Sequence, residues 1–235
     1  MKLITTSDGS HSVYSEKYNA TYHSAHGAIQ ESQHVFIKSG LHHFLEQSSP
    51  LLWRGGRGEA LHIFEMGFGT GLNAFLTFLE MQNNNVKIEY TAVEQFPLQS
   101  EIYSSLNYAE LLNSKDQQTD FLKMHECEWN TFCTITEKFA LKKVNTTLQE
   151  MIHEQQYHLV FFDAFAFTAQ PELWEEEIFR TLYNTMETSG ILVTYSAKGQ
   201  VRRNLQAAGF QVERIQGPPG KREMLRAIKP LSSHT

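Results

Sequence analysis

Three acidic residues and a run of glycines are the parts of this sequence best suited to chemistry. Residues 63–74 read IFEMGFGTGLNA, with Gly67, Gly69 and Gly71 directly behind one apolar run and directly ahead of another. A glycine-rich turn between a strand and a helix lets a ligand touch main-chain N–H groups at the helix N-terminus, where any Cβ would hold it off. Glu65 stands two residues before the first glycine, and Glu94 lies 23 residues after the last. A pyrophosphate over this turn would be repelled by Glu65, whereas a cationic ligand would be attracted. Asp163 closes a further apolar run, in FFDAF. A carboxylate there can hydrogen-bond an amine N–H, orient the lone pair and hold the group in register as positive charge develops. Phe165 and Phe167 follow, and either can stack on a flat base.

Two registers of the glycine turn compete. Gly69-Thr-Gly71-Leu-Asn73-Ala74 fits G-x-G-x-x-A, the dinucleotide fingerprint. Glu65-Met-Gly67-Phe68-Gly69-Thr-Gly71 fits E-x-G-x-G-x-G, the pattern of methyltransferases that use S-adenosylmethionine (SAM). SAM carries a sulfonium and an ammonium, so Glu65 favours the second register. Phe68 and Asn73 fall in the same turn and join the cofactor-binding candidates. Glu94 suits ribose hydroxyls in either register. Taken alone, Glu94 would read as a helix-capping carboxylate and Asp163 as a loop cap. Their positions after the glycine turn and at a strand end favour the functional reading.

The elements that must place these residues alternate in type. ALHIFEM is a buried strand, LNAFLTFLEMQ has helical spacing, and KIEYTAVEQ is a second strand followed by a helix opening at Pro97. Residues 104–135 read as an irregular helical insertion. FALKKVN is a third strand, TLQEMIHE a short helix and HLVFFDAF a fourth strand, apolar on both faces. Pro171 opens a helix with an apolar stripe through Leu173, Trp174, Ile178, Phe179, Leu182, Tyr183 and Met186, closing at Ser189–Gly190. GILVTYS is a fifth strand, VRRNLQAAGF a helix stopped by Gly209, and QVERIQ and MLRAIK a hairpin around GPPGK. Strands alternating with helices predict an α/β fold: a Rossmann-like, doubly wound, mostly parallel sheet with a C-terminal antiparallel hairpin. Residues 1–59 are expected to be an N-terminal elaboration packed on a core of residues 60–235; within them HVFI alternates like a strand and SGLHHFLEQ could begin a helix.

Composition narrows the function classes. The 235 residues are 41% hydrophobic and 20% charged, which suits one soluble domain. No apolar stretch approaches a membrane span and no signal peptide leads the chain, so a cytoplasmic protein without membrane contact is expected. Cys127, Cys133 and His125 lack a fourth metal ligand at a usual spacing, and the seven histidines before residue 63 show no ligand pattern. No metal is expected, and those histidines read as surface and turn residues. The net charge of −6 argues against a protein that mainly coats nucleic acid, yet from Lys198 onward eight basic residues face only Glu213 and Glu223. The last 38 residues therefore carry +6 and the first 197 carry −12. Solvated helix and hairpin faces explain such an edge, and so does contact with phosphates.

FEMGFGTGLN, FFDAF followed by PELW, SAKGQVRRNLQAAGF and GPPGKREML together resemble one family across about residues 25–228. It is the SAM-dependent methyltransferase domain of the tRNA wobble-uridine modifying MnmC proteins, including stand-alone relatives. The resemblance implies a class I SAM methyltransferase fold and transfer of a methyl group to the aminomethyl nitrogen of 5-aminomethyl-(2-thio)uridine in tRNA. It implies that Glu65, Gly67, Gly69 and Gly71 cradle the methionine part of SAM and that Glu94 holds the ribose. Asn145 stands where these enzymes often place an acid near adenine. Asp163 faces the acceptor amine, while Lys221 and Arg222 contact RNA phosphate. Bifunctional members add a flavin-dependent oxidase domain; here only the methyl transfer is expected, with a separate enzyme supplying the amine. A SAM methyltransferase of a small or protein amine remains open, as does a non-catalytic SAM-fold scaffold. A NAD dehydrogenase is disfavoured by Glu65.

Overall fold

The computed structural model describes residues 1–47, 60–151 and 156–231. Its centre is an eight-stranded sheet, ordered β10-β11-β9-β8-β4-β5-β7-β6. The strands are β4 (Leu61–Met66), β5 (Ile88–Val93), β6 (Phe132–Thr136), β7 (Phe139–Val144), β8 (Tyr157–Phe162), β9 (Met186–Thr194), β10 (Gln211–Gln216) and β11 (Glu223–Ile228). The five middle strands, β9, β8, β4, β5 and β7, are mutually parallel. β10 and β11 form the antiparallel hairpin, but β11 lies inside, paired antiparallel to β9. From β4 the chain proceeds to β5 in one direction and later to β8 in the other. The switch point thus lies between β4 and β8, the place where such sheets bind ligands beyond their carboxyl ends.

Alternation along the strands feeds two cores. Ile63, Tyr90, Leu159 and Phe161 face the side covered by the helix Leu72–Met81 and the N-terminal helix. Phe64, Val160, Phe162 and Leu192 face the helices Glu176–Asn184 and Gly199–Ala207. Successive side chains on a strand point to opposite faces, so a run such as LVFF must be apolar throughout when both faces are covered.

Several elements differ from expectation. HVFI is helical: Ala28–Ser32, a π-helix over Gln33–His42 and His43–Gln47 follow one another without a break. Its side chains meet a flat sheet rather than a strand neighbour; Phe36 packs 5.3 Å from the Phe161 ring. Gly40 allows the close approach, since a Cβ there would sit 2.9 Å from Val193 Cγ2. Before it, β1 (Lys2–Thr5), β2 (His11–Ser15) and β3 (Ala20–Thr21) form a small antiparallel sheet that the sequence did not announce. Pro97 lies ahead of its helix, which starts at Ser100 behind an extended Gln99.

The insertion ends in β6 rather than in helix, antiparallel to β7 at the sheet edge. TLQEMIHE contains a turn at 148–150, and its residues 152–154 lie outside the described residues. The Pro171 helix divides into a 3₁₀ turn, Pro171–Trp174, and the helix Glu176–Asn184, separated by extended Glu175. The Trp174 carbonyl accepts from Asn204 Nδ2 at 2.7 Å, a bond that takes the place of helical continuation. Met186, Ser189 and Gly190 belong to β9. His23 is buried, contrary to the surface role expected of the early histidines.

Candidate active site

The glycine turn leaves β4 at Met66. Gly67, Gly69 and Gly71 all have positive φ, at 90°, 51° and 71°. A Cβ on Gly69 would lie 2.9 Å from the Tyr22 ring, and one on Gly71 would lie 2.9 Å from His125 Nε2. Both the backbone conformation and the space therefore demand glycine. The turn is tied to β5 by Gly67 N and Phe68 N, which donate to Val93 O at 3.0 and 3.2 Å. His125, buried by the insertion, bonds Thr70 O at 3.1 Å and stacks on Tyr103. Burial, and next the Lys143 charge, push His125 down to about 3, so it is a neutral prop for the turn.

Glu94 closes the other side. Its Oε2 accepts the Gly69 N–H at 3.0 Å and its Oε1 the Phe96 N–H at 2.7 Å. Asn145 Nδ2 donates to Glu94 O at 2.9 Å. Asn145 thus braces the chain behind Glu94, and Thr146–Glu150 form the wall of the cavity there.

Asn73, in the first turn of its helix, brings the two remaining carboxyl groups together. Its Nδ2 donates to Glu65 Oε1 and to Asp163 Oδ2, both at 2.8 Å. Glu65 Oε2 and Asn73 Oδ1 are buried without a hydrogen-bond partner. Burial, and after it the Asp163 charge, holds Glu65 well above the usual carboxylate range. Asp163 is pushed up to about 7, first by burial and then by Glu31, against the opposing pull of Asn73 and Lys221. Burial raises Glu94 as well, in spite of its main-chain donors. Among the described residues, no cationic side chain forms an ion pair with these three.

Gly67, Phe68, Gly69, Asn73, Glu94 and Asp163 line a cavity of about 510 Å³, whereas Glu65 is buried off its wall and meets it only through Asn73. Phe165 lies on its wall, with its ring 4.7 Å from Tyr18 and edge-on to Tyr22 at 4.9 Å. Tyr18, Tyr22 and His23, all from the N-terminal segment, also line it. Sequence reading missed all three; aromatic residues in a polar segment were the only available signal. Lys221 and Arg222 stand elsewhere, on a neighbouring cavity. Lys221 Nζ pairs with Glu31 Oε1 at 2.5 Å and lies 4.1 Å from the Tyr195 ring centroid. Phe68 is buried against His125. Cys127 is buried and Cys133 half-buried, and both are free thiols.

The donor set fits SAM. Clustered carboxyl groups driven toward neutrality, with spare acceptors and no paired cation, are suited to a ligand carrying a sulfonium and an ammonium. Gly67 and Gly69 also present main chain to the cavity, with the Cβ directions of Gly69 and Gly71 taken up by Tyr22 and His125.

A family model described as S-adenosyl-L-methionine-dependent methyltransferase matches residues 110–230. The tRNA 5-methylaminomethyl-2-thiouridine biosynthesis bifunctional protein MnmC of Actinobacillus pleuropneumoniae serotype 5b (strain L20) is 29% identical over 238 residues, covering 94% of this chain and 34% of that protein. The protein of the same name from Cupriavidus metallidurans is 30% identical over 234 residues, covering 94% and 33%. The chain therefore spans about a third of the length of these bifunctional relatives. Among solved structures, MNMC2 from Aquifex aeolicus superposes with a TM-score of 0.70 at 25% identity, covering 96% of this chain and 69% of that one. Among the described residues, no helix is long and apolar enough to cross a membrane.

Proposed function

Because the chain belongs to the S-adenosyl-L-methionine-dependent methyltransferase family matched over residues 110–230, we propose that its acceptor is the aminomethyl nitrogen of 5-aminomethyl-(2-thio)uridine at the wobble position of tRNA. The observation that carries this reading is the loop after β8: Asp163 and Phe165 stand side by side on the wall of the glycine-turn cavity. An acid for an amine and an aromatic face for a flat base are what such an acceptor needs. The similarity to MnmC proteins over 94% of the chain supports it.

In this reading Glu65, Gly67, Phe68, Gly69, Gly71 and Asn73 hold the methionine end of SAM, and Glu94 holds the ribose. Asn145 acts on the cofactor side through the Glu94 main chain. Bound SAM supplies an electrophilic methyl group. A free acceptor amine would be its nucleophile, with the sulfur leaving as a thioether and one N–H proton to be taken up. Asp163 orients the nitrogen and, as a carboxylate beside it, is placed to accept that proton. Phe165 stacks on the uracil ring, and Lys221 and Arg222 face the RNA backbone. Residues 1–59 are an elaboration of the catalytic domain, residues 60–235, and lend Tyr18, Tyr22 and His23 to the wall of the site. The enzyme works in the cytoplasm.

The test is transfer of labelled methyl from SAM to bulk tRNA lacking this modification, followed by nucleoside mass spectrometry. Labelled methylaminomethyl uridine is the expected product. SAM binding with no label in RNA would overturn the substrate and turn attention to a small or protein amine.

A further inference from the structure

A second cleft opens on the far side of the loop that carries Asp163. It measures about 670 Å³, and its lining includes Phe167, Tyr195, Lys198, Arg214, Lys221 and Arg222. The loop is a shared wall: Asp163, Ala164 and Phe165 line the first cavity, and Ala166 and Phe167 line the second. Two bonds fix this partition. Trp174 Nε1 donates to Phe165 O at 2.9 Å, and the Tyr195 hydroxyl donates to Ala164 O at 2.8 Å.

The charges in the second cleft are of two kinds. Lys221 is committed to Glu31, and Arg214 lies 3.5 Å from Glu223. Lys198 and Arg222 have no ion pair among the described residues. Lys198 Nζ sits 4.6 Å from the Phe167 ring centroid, so an aromatic face and an unneutralised cation occur together. In a chain of net charge −6, half of the eight basic residues that follow position 197 converge on this one cleft. A site for a small amine alone has no use for such a neighbour.

We propose that the second cleft binds the nucleotide next to the one being methylated, with its base against Phe167 and its phosphodiester between Lys198 and Arg222. The proposal rests on the RNA reading above and adds a defined subsite to it. Proteins that hold single-stranded RNA stack splayed bases on aromatic rings and track the backbone with cations. Phe165 and Phe167 are two residues apart, at most about 7 Å along an extended chain. That spacing lets consecutive bases of one strand fall on opposite sides of the loop.

The experiment measures methyl transfer to an RNA anticodon stem–loop containing 5-aminomethyluridine, using Lys198→Glu, Lys198→Gln and Phe167→Ala. KM for the stem–loop should rise about tenfold in Lys198→Glu and in Phe167→Ala, the loss expected for one phosphate or stacking contact. In Lys198→Glu, kcat at saturating RNA and the Kd for SAM should be unchanged. Lys198→Gln should reduce the slope of log KM against log salt by about 1. An unchanged KM in all three variants, with an active parent enzyme, would overturn the subsite and leave the tRNA reading standing. A fall in kcat with an unchanged KM would also overturn it, by placing these residues in the chemistry instead. A parent enzyme that binds SAM but methylates neither stem–loop nor tRNA would remove both.

Discussion

The carboxyl groups of Glu65, on β4, and Asp163, directly after the neighbouring β8, each lie 2.8 Å from a single nitrogen, Asn73 Nδ2. Among the described residues neither group has a cationic ion-pair partner, so one neutral amide keeps two acids apart. Removing it leaves the buried Glu65 and the half-buried Asp163 facing each other. Asn73→Ala should weaken SAM binding roughly ten- to hundredfold, because hydrogen bonds to charged groups contribute about 1.5–3 kcal/mol each. Calorimetry on the purified variant is the check, and an unchanged Kd would remove Asn73 from the cofactor site.

Asp163→Asn keeps the shape of the side chain and discards its charge. Turnover should fall on the order of 10²- to 10³-fold, the usual cost of losing a preorganised electrostatic contact. SAM should still bind. Turnover near the parent value would show that Asp163 has no part in the chemistry.

SAM binding should release protons near neutral pH. Glu65, Glu94 and Asp163 are all raised, so part of this acid cluster is protonated before the ligand arrives. A cation brought among them favours their ionised forms. Calorimetry in two buffers of different ionisation enthalpy reads the release directly. Equal apparent enthalpies in both buffers would contradict it.

The same titration predicts how the ligand-free protein responds to pH. Asp163 has a folded value of about 7 against a usual 3.8. A raised acid binds its proton more tightly in the folded chain, so its stabilising contribution is full below about 3.8 and lost as pH rises through about 7. Melting temperature should therefore decline over that window, and less so with SAM present or in Asp163→Asn. A parent and an Asp163→Asn variant with parallel curves would rule out this origin.

Gly71→Ala should destabilise the fold by about 1–2 kcal/mol for the left-handed backbone alone, with a further cost for displacing His125. Urea unfolding is the measurement. A variant as stable as the parent would mean that the turn re-forms without its positive φ.

The parallel core, the glycine turn and the terminal hairpin were legible because each leaves a local mark: apolar runs, punctuating glycines, and a proline–glycine turn between alternating strands; the inverted order of the hairpin strands leaves none. Glu65, Glu94 and Asp163 could be placed near strand ends because strand ends are visible in sequence. Tyr18 and Tyr22 could not, since only the folded N-terminal segment carries them to the cavity. HVFI misled because four residues cannot distinguish a strand from a helix whose neighbours are also buried. Trp174 and Met186 continue the spacing of a helix that tertiary bonds interrupt. Asn145 lies near the expected place, but its amide is occupied by the Glu94 and Gln95 carbonyls.

β11 follows β10 in the chain yet lies between β10 and β9. β10 can therefore join the sheet only through β11, whether the hairpin forms before or after β11 docks on β9. Until β11 docks, β9 is an open edge, a row of unpaired N–H and C=O groups beside apolar Leu192 and Val193. Where the hairpin forms first, the turn at 217–222 is a timing element as well as a bearer of Lys221 and Arg222. A variant that slows its closure would then prolong the life of an aggregation-prone edge while leaving the finished molecule unaltered.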